Sequence, residues 1–578
     1  MPTRGERQMD LTRKLVVAAA TAALALPVAA MAGGDPSPKA EQNAQVTKVQ
    51  ILALNDFHGQ LEPVPSSSSG GRIGATAAGG VEYLATHVRQ LRATNPNTVF
   101  VSAGDMIGAT PLISALFHDE PTIEAFNAMG LDYNGVGNHE FDEGVDELLR
   151  MQNGGCHPID DCADGDPFAG ASFKYLAANV KYKSNGQTIF PPYAIHHFNG
   201  IKVAFVGMTL EGTPSIVTPA GISQVDFLDE AETVNALVPV LKRQNVETII
   251  VLLHEGGSSS LPISETTINQ CGTLSGPLPP IVEAMDDEID VVVTGHTNWA
   301  VNCVVDGKIV TGAAATGRLV TDIDLTISRA TKDVVSATVN NQIVTRDVPK
   351  AADLTTLVEK YRTLSAPLAN RVIGSITATI TRTGNAAGES ALGDVIADAQ
   401  LDATDDAGFG DAVVAFMNPG GIRADLTFPS SAVNEGDGNV TYGEAFTVQP
   451  FGNSLVTMTL TGAQIDTLLE QQFVGCGQTS NRILQVSTGF SYTWSASGAA
   501  CSKVDPSTIK INGATVSPSG NYRVTVNSFL ADGGDNFVVL KEGTNRLGGD
   551  VDLDALDKYF QTYSPIAPGP QNRITKAT

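Results

Sequence analysis

The amino-acid sequence predicts an α/β fold in its first region, a connecting helix, and an α+β fold in its second region. Short apolar strands alternate with amphipathic segments from Val49 to about Thr326, and this alternation is typical of a layered α/β domain. A helical periodicity follows over residues 349–372, and from Ser375 onward one helix precedes many short strands. Because 578 residues are too many for one hydrophobic core, two or more domains are expected.

Residue type and period predict the individual elements. In the first region, runs rich in aliphatic and β-branched residues predict strands. Their sequences are VQILAL, NTVFVSAG, YNGVG, IKVAFVGM, ETIIVLL and DVVVTG. The segments GGVEYLATHVRQLRA and DEAETVNALVPVLKRQ between them predict amphipathic helices. In the second region we expect a helix in SALGDVIADAQLDAT and strands in DAVVAFMN, SLVTMTLTG and NYRVTVNSF.

The composition is that of an acidic globular protein. Hydrophobic residues make up 42% of the chain and charged residues 17%, which is an ordinary balance for a folded protein. The 36 Lys and Arg against 62 Asp and Glu leave a net charge of −26. This charge argues against binding of a nucleic-acid polymer or an anionic membrane surface. An anionic substrate would therefore need local cations, from metal ions or arginine.

The N-terminal residues 1–32 are typical of a signal peptide. Arg13 and Lys14 precede the apolar run LVVAAATAALALPVAA, and AMA at 30–32 supplies small residues for cleavage. Pro27 interrupts the run, which is short for a membrane span; a stable anchor is the alternative. We expect a secreted, periplasmic or cell-surface protein without a stable membrane anchor, and a monomer or weak oligomer.

Six cysteines in an exported protein suggest disulfides. They fall into sequential pairs, namely Cys156 with Cys162, Cys271 with Cys303 and Cys476 with Cys501. Six cysteines allow 15 connectivities, so sequential pairing is a preference based on proximity. Zinc ligation is the competing interpretation, and the absence of any CxxC spacing weakens it.

Side chains that can bind metal follow several predicted strands. They are Asp56, His58, Asp105, Asn138, His254 and His296. In open α/β sheets, sites form just beyond the carboxyl ends of the strands. Each residue alone is more often a helix cap or a packed or surface residue, but so many at successive strand ends predict one metal site.

The predicted ligands combine nitrogen and oxygen donors and include no cysteine. This mixture suits Zn²⁺, Mn²⁺, Fe or Co better than the oxygen cages of Mg²⁺ and Ca²⁺. The ligands exceed the needs of one ion with an open position, so we expect two ions about 3.5–4 Å apart. Asp105 is the predicted bridge between them. Such a pair activates a water for attack on a phosphoryl group.

Motifs along the chain resemble a known family. LNDFHG, SAGD, GNHEFD, LLHEGG and VTGHT resemble the calcineurin-like metallophosphoesterases. With GESALGDVIADA, NPGGIR, QPFGNSL and NSFLADGGDNF added, the chain resembles the secreted 5′-nucleotidase family from about Gln50 to Phe537. The resemblance implies a four-layer αββα metallophosphoesterase domain over 46–348, a linker helix over 349–372 and a C-terminal nucleotide-binding domain over 373–578.

The resemblance also implies roles for residues of the first domain. Asp56, His58, Asp105 and His296 would bind one ion, and Asp105, Asn138 and His254 the other. His139 would be the catalytic histidine, oriented by Asp142. Family members usually carry His or Gln two residues after the last metal histidine; Asn298 stands there, and we expect it to bind metal. Zn, Mn or Co are the expected ions, with Fe a further candidate, and for Glu140 and Phe141 we expect only solvent exposure and packing.

In the second domain the resemblance implies a nucleoside site. Phe451 and Phe529 would sandwich the base, although an isolated phenylalanine is more often a core residue. The other implied substrate contacts are Arg382, Asn418, Arg423, Asn453, Gly489 and Asp535. Because the base site and the metals would lie on different domains, rotation about the linker helix is expected to gate turnover.

The resemblance implies an enzyme that cleaves nucleoside 5′-monophosphates, with UDP-sugars or other nucleotide diphosphates as further substrates. A 2′,3′-cyclic-nucleotide 2′-phosphodiesterase with 3′-nucleotidase activity is the close alternative. A secreted nucleotide-binding protein without catalysis, or a structural exoprotein, are alternatives of another class.

Overall fold

Two six-stranded sheets form the centre of the first region. The computed structural model describes residues 45–66, 69–217, 219–431 and 434–577, and the predicted signal peptide lies outside them. In spatial order, the first sheet consists of Val334–Ile343, Leu319–Ser328, Val46–Leu54, Thr98–Ser102, Tyr133–Gly135 and Lys174–Leu176. The second consists of Ala300–Val305, Lys308–Ala313, Val291–Thr294, Thr248–His254, Ile201–Thr209 and Tyr193–Phe198.

The central strands of both sheets are parallel. Val46–Leu54 pairs in parallel with Thr98–Ser102, which is parallel to Tyr133–Gly135. In the second sheet, Thr248–His254 is parallel to both of its neighbours, one of which is Val291–Thr294. Because parallel strands end at the same edge of a sheet, the residues that follow them come close together.

The apolar residues of these strands are buried on both faces. Ile51, Phe205 and Leu252 lie in the core between the two sheets, whereas Leu52 packs outward against the helices. Two sets of helices cover the outer faces, namely Val81–Arg92, Leu112–Ala115, Glu120–Met129 and Gly144–Asn153 on the first sheet, and Glu230–Arg243 and Leu278–Ala284 on the second. The order of layers is α, β, β, α, so the predicted fold class is confirmed.

A long helix, Ala352–Ala369, connects the two regions. Tyr361 is fully buried, and its hydroxyl lies 2.9 Å from Asp164 Oδ2 and 3.0 Å from Glu124 Oε2. The Lys360 ammonium lies 2.6 Å from the same Asp164 carboxylate. The helix is thus fastened to the first region by a buried aromatic residue and an ion pair.

The second region contains two five-stranded sheets. One consists of Gln485–Val486, Val414–Met417, Asn521–Asn527, Ser454–Thr461 and Thr544–Val551. The other consists of Ser502–Val504, Phe490–Ala499, Lys510–Ile511, Ala514–Thr515 and Ile574–Ala577. The helices of this region are Ala391–Asp402, Tyr442–Val448, Gly462–Glu470, Ser528–Ala531 and Asp552–Tyr563. This mixture is the expected α+β domain.

Short strand pairs complete the described part of the chain. They are Arg72–Ile73 with Thr76–Ala77, Val180–Tyr182 with Val225–Phe227, Ser258–Ser259 with Leu274–Ser275, and Val372–Ser375 with Asn439–Thr441. The cysteines pair sequentially, Cys156–Cys162, Cys271–Cys303 and Cys476–Cys501, as proximity favours. Among the described residues, no helix combines the length and the hydropathy that a membrane crossing requires.

Candidate metal centre and substrate cleft

The predicted metal ligands meet between the carboxyl edges of the two sheets. Asp105 lies at their centre, with its Oδ2 atom 3.0 Å from His254 Nε2 and 3.8 Å from His58 Nε2. Asn138 Oδ1 lies 3.2 Å from His254 Nε2 and 2.9 Å from His296 Nδ1. Strands from both sheets therefore supply one cluster of oxygen and nitrogen donors.

Four residues of the cluster have an unusual backbone conformation. Asp56, His58, Asp105 and His296 have φ angles of 50°, 48°, 51° and 68°. This left-handed region is uncommon for residues other than glycine, although Asp, Asn and His enter it most readily. Such strain concentrates at functional sites, where the surrounding structure holds it in place. It turns these side chains back from their strand ends toward the cluster.

Backbone carbonyls fix the orientation of two imidazole rings. His58 Nδ1 lies 2.9 Å from the Gly108 carbonyl, and His254 Nδ1 lies 2.7 Å from the Ala103 carbonyl. With Nδ1–H donating to these oxygens, Nε2 of each ring faces the cluster, which is the orientation that metal-binding histidines adopt. Burial lowers the pKa of His58 to about 3, so its neutral, metal-binding form prevails.

The donor set fits a pair of divalent ions. Two groups of donor atoms, each within 4.8 Å of one another, share Asp105: one also contains His58 and His139, and the other also contains His254 and His296. Oδ1 of Asp56 is buried and has no hydrogen-bond partner among the described residues. A buried carboxylate oxygen without a partner is costly, and a cation at this cluster would satisfy it.

Glu140 is buried, so the expectation of solvent exposure is wrong. The residue is 3% exposed, and its carboxylate accepts the backbone N–H groups of Asp105 at 2.8 Å, Met106 at 2.9 Å and Gly137 at 2.7 Å. Burial raises the pKa of Glu140 to about 7. One carboxylate thereby joins the loop that carries Asp105 to the loop that carries Asn138. Phe141 is fully buried, as expected from packing.

His139 lies beside the cluster at the start of the cleft. Its Nδ1 atom is 2.8 Å from Asp142 Oδ2, and its backbone N–H donates to Asp105 Oδ1 at 2.9 Å. Burial disfavours the charged form of the ring, but the carboxylates of Asp142 and Asp105 outweigh it and raise the pKa of His139. The contact with Asp142 leaves Nε2 as the ring atom available for chemistry.

Residues from both regions line one cleft with a volume of about 200 Å³. The first region contributes Asn138, His139, Asp142, Ile216, Val217 and His296. The second contributes Asn418, Gly420, Gly421, Arg423, Phe451, Asn453, Arg482, Asn527, Phe529 and Asp535. The ring of Phe451 stacks toward the ring of His139, with centroids 5.9 Å apart and planes 15° apart. The cleft therefore runs without interruption from the metal ligands to the aromatic residues.

A hydrogen-bond network connects the aromatic end of the cleft to Asp535. Asn527 caps the helix Ser528–Ala531 by accepting the Leu530 N–H at 2.9 Å, and its amide donates to Asn418 Oδ1 at 3.0 Å. Asn418 Nδ2 donates in turn to Asp535 Oδ2 at 2.9 Å. The helix that carries Phe529 is thus held in register with the Asp535 carboxylate.

Comparisons with known proteins agree with this arrangement. The Calcineurin-like phosphoesterase family matches residues 49–299, and the 5′-nucleotidase, C-terminal domain family matches residues 372–542. Over 550 residues the chain is 32% identical to Cell wall protein Lmo0130 of Listeria monocytogenes, covering 90% of this chain and 68% of that protein. The chain belongs to the 5′-nucleotidase family.

Two other proteins show the extent of the similarity. Endonuclease YhcR of Bacillus subtilis is 31% identical over 541 residues, which are 92% of this chain and 41% of that protein; the chain thus spans less than half the length of that relative. The crystal structure of a 5′-nucleotidase precursor from Thermus thermophilus covers 92% of this chain and 100% of its own, with a TM-score of 0.73 and 25% identity.

Membership of the 5′-nucleotidase family defines the chemical class of this site. Calcineurin-like phosphoesterases use a divalent dimetal centre, and the cluster around Asp105 has the donors for one. The class is that of the metal-dependent phosphoester hydrolases.

Three of the predicted site residues lie outside both the metal-ligand cluster and the residues that line the cleft. Asn298 is exposed, has a φ of 60°, and makes no hydrogen bond with the cluster among the described residues. Arg382 is exposed, and its guanidinium donates to the carbonyl of Ile422, the residue before Arg423, at 3.0 Å. Gly489 is exposed, and its carbonyl accepts the N–H of Asn512 at 2.8 Å.

Several cleft residues of this family member were not predicted. Arg482 pairs with Asp535, and its only sequence signal is a basic residue in the polar segment GQTSNR. Asn527 opens the motif NSFLADGGDNF and could have been found there. Ile216 and Val217 are apolar residues in a loop of the first region, and no motif indicates them.

Gly534 is expected to be required for substrate binding because it packs against the ring of Phe529. A Cβ atom at Gly534 would lie 2.5 Å from the Phe529 ring, so Gly534→Val should push the ring out of its position. The family resemblance implies that Phe529 stacks on a nucleotide base; on that expectation, loss of the contact, worth about 1–3 kcal/mol, should raise KM for AMP about tenfold. Steady-state kinetics with AMP and with p-nitrophenyl phosphate, which has no base, measures the effect.

A matched control is available on an exposed strand of the same region. A Cβ atom at Gly548 would have no heavy atom within 4 Å, so Gly548→Val should leave KM for AMP unchanged. An equal rise in KM for AMP and p-nitrophenyl phosphate in Gly534→Val would show that the ring does not hold a base.

Proposed function

We propose that this protein is an exported 5′-nucleotidase that hydrolyses nucleoside 5′-monophosphates to nucleoside and phosphate. One observation carries the proposal: a single cleft joins the metal-ligand cluster and His139 of the first region to Phe451 and Phe529 of the second. A substrate that spans this cleft needs a phosphate at one end and a flat aromatic group at the other, and a nucleotide has both.

The proposed metal ligands are those that the family resemblance implies. His296 lies beside Asn138 and in the donor group of His254, so we reassign it: Asp56, His58 and Asp105 would hold one divalent ion, and Asp105, Asn138, His254 and His296 the other. Asn298 stays a predicted further ligand. When bound, Zn²⁺, Mn²⁺ or Co²⁺, or alternatively Fe, supplies Lewis-acid activation of a water and of the phosphoryl group.

His139 is the proposed acid at the leaving group. Asp142 holds Nδ1 of the ring, so Nε2 is free to donate a proton to the departing 5′ oxygen of the nucleoside. Its raised pKa favours the protonated ring that this step needs. Geometry and protonation state thus both suit general-acid catalysis.

Arg423 is the proposed phosphate-binding cation of the cleft. Its guanidinium lies 5.8 Å from the centre of the Phe451 ring, and Arg423 lines the same cleft as His139. A planar guanidinium binds phosphate oxygens in pairs. In a protein with a net charge of −26, such a local cation offsets the repulsion of an anionic substrate. Arg382, whose guanidinium donates to the carbonyl of the residue before Arg423, would reinforce this charge.

The nucleoside would bind at the other end of the cleft. Phe451 and Phe529 would stack on the two faces of the base, and stacking tolerates every base. Asp535 would accept the ribose hydroxyls, and Asn418 and Asn453 would complete the polar contacts. UDP-sugars and other nucleotide diphosphates are proposed as additional substrates.

Export rests on three observations. Residues 1–32 have the pattern of a signal peptide, all six cysteines form disulfides, which persist in oxidising compartments, and one relative is named a cell wall protein. A monomer or weak oligomer stays a prediction.

A phosphodiesterase is the second candidate. One relative is named an endonuclease, and metal-activated water attacks phosphodiesters as well as monoesters. A 2′,3′-cyclic-nucleotide 2′-phosphodiesterase with 3′-nucleotidase activity would use the same cluster. The nucleotidase is favoured over the phosphodiesterase by one feature, namely that the aromatic end of the cleft can hold a base at a distance from the metal-ligand cluster.

Phosphate release from a substrate panel tests the proposal. AMP, UMP, ADP, UDP-glucose and 2′,3′-cyclic AMP are incubated with the protein, with and without EDTA and after re-addition of Zn²⁺, Mn²⁺ or Co²⁺. We expect the highest kcat/KM for AMP or UMP, loss of turnover in EDTA, and recovery with added ions. Turnover that survives exhaustive chelation would contradict the metal mechanism, and a preference for 2′,3′-cyclic AMP would favour the second candidate.

A further inference from the structure

Arg482 is engaged with Asp535 inside the cleft. Its Nη1 atom donates to Asp535 Oδ1, and the two side chains are 34% and 6% exposed. The backbone N–H of Arg482 donates to the Gln472 carbonyl at 2.8 Å, which fixes the position of the arginine. The cleft therefore contains a buried carboxylate whose cationic partner faces the open space.

Asp535 accepts three side-chain hydrogen bonds, two at its carboxylate and one at its backbone carbonyl. Asn418 Nδ2 donates to Oδ2 at 2.9 Å, Arg482 donates to Oδ1, and Gln478 Nε2 donates to the backbone carbonyl of Asp535 at 2.6 Å. Arg482 and Gln478 both belong to the chain segment between Cys476 and Cys501, which a disulfide closes. This segment thus determines where Asp535 points.

The Asp535 carboxylate can accept two further hydrogen bonds, such as those from a pair of hydroxyl groups. Each carboxylate oxygen accepts one side-chain hydrogen bond among the described residues, and each has a further lone pair. An ionised carboxylate accepts hydrogen bonds only, whereas a protonated one donates. Burial raises the pKa of Asp535, and Arg482 together with Asn418 opposes this rise.

We propose that Arg482 is a specificity-determining residue of the nucleoside site, where its ion pair aims the Asp535 carboxylate at the 2′ and 3′ hydroxyls of a ribose. This inference rests on the proposed nucleotidase function. Arg482 acts through Asp535 and is a positioning residue, so its loss affects substrates with a ribose and spares those without one. Ribonucleotides are accordingly preferred over 2′-deoxyribonucleotides.

Steady-state kinetics of Arg482→Met tests the proposal in the full-length protein, with AMP, 2′-deoxy-AMP and p-nitrophenyl phosphate as substrates. A hydrogen bond to a charged group is worth about tenfold in binding, so KM for AMP should rise by about that factor. We expect kcat for AMP to stay within about twofold, because the reacting atoms are untouched. The preference for AMP over 2′-deoxy-AMP should fall toward one, and p-nitrophenyl phosphate should be hydrolysed as before.

Two companion variants separate positioning from a structural role. Arg482→Lys keeps the cation and should restore most of the preference for ribose. Arg482→Met combined with Asp535→Asn should be no worse than Asp535→Asn alone, because both changes remove the same interaction. Arg523→Met removes a half-buried arginine of the same region, which donates to the Gly410 carbonyl at 2.8 Å, and should leave the preference intact.

The outcomes that overturn the proposal are distinct. Equal losses on AMP and p-nitrophenyl phosphate in Arg482→Met would show that the arginine acts on the phosphate. An unchanged ratio of AMP to 2′-deoxy-AMP, or additive losses in the double variant, would show that it does not act through Asp535. If the unaltered protein hydrolyses p-nitrophenyl phosphate but no nucleotide, the nucleotidase function itself fails, and the role of Arg482 fails with it.

Discussion

Asp105→Ala is expected to remove both divalent ions. Loss of one acid–base group lowers turnover about 10²–10⁴-fold, and loss of both ions should lower it further. Asp105 Oδ2 lies 3.0 Å from His254 and 3.8 Å from His58, and Oδ1 accepts the backbone N–H of His139. No other carboxylate of the described residues belongs to both donor groups. Metal content by mass spectrometry and phosphate release from AMP measure the two effects.

Asp132→Ala is the matched control for this change. Asp132 precedes the strand Tyr133–Gly135, and its carboxylate accepts the Phe100 N–H at 2.8 Å, at the edge of the sheet away from the cluster. Its loss should lower thermal stability and leave the metal content unchanged. Retention of both ions by Asp105→Ala would refute the bridging role.

His139→Ala is expected to lower turnover of AMP by about 10²–10⁴-fold while both ions stay bound, because a general acid contributes about that factor. The ring is 2.8 Å from Asp142 and is not among the proposed ligands. Asp142→Asn should cause a smaller loss, since the ring stays in place but loses the carboxylate that supports its charge.

A leaving group that needs no proton distinguishes acid catalysis from other roles of His139. The loss of activity should be much smaller for p-nitrophenyl phosphate, whose phenolate departs unprotonated, than for AMP. His196→Ala serves as the control, because His196 lies on the edge strand Tyr193–Phe198 and stacks on Phe198 with centroids 4.4 Å apart. Loss of metal from His139→Ala would show that the histidine is a ligand instead.

The metal centre could be predicted from the sequence because of where its residues lie along the chain. Asp56, Asp105 and His254 each follow a short apolar strand, and parallel strands necessarily end at one edge of their sheet. The sequence pattern therefore predicts both the strand and the end of it at which the side chain lies. The sheet order and the antiparallel outer strands, such as Leu319–Ser328 beside Val46–Leu54, depend on long-range pairing and were not predicted.

Residues that act through distant backbone contacts could not be predicted. Glu140 accepts N–H groups from a loop about 35 residues earlier in the chain, and Arg482 pairs with Asp535, 53 residues later. Neither contact has a periodic or motif signal. A long-range contact also explains why Gly489 lies away from the cleft. A glycine suits a turn between two strands as well as a binding loop, and the Gly489 carbonyl is held by the backbone N–H of Asn512.

The carboxylate of Glu140 holds the candidate metal ligands in position through contacts within the polypeptide itself. Because it joins the loops of Asp105 and Asn138 through three backbone N–H groups, the gap between the two ligands is set before any ion arrives. The protein should therefore lose one kind of ion and bind another without refolding. Which element occupies the centre then reflects the ions supplied by the compartment, in addition to the affinities of the donors.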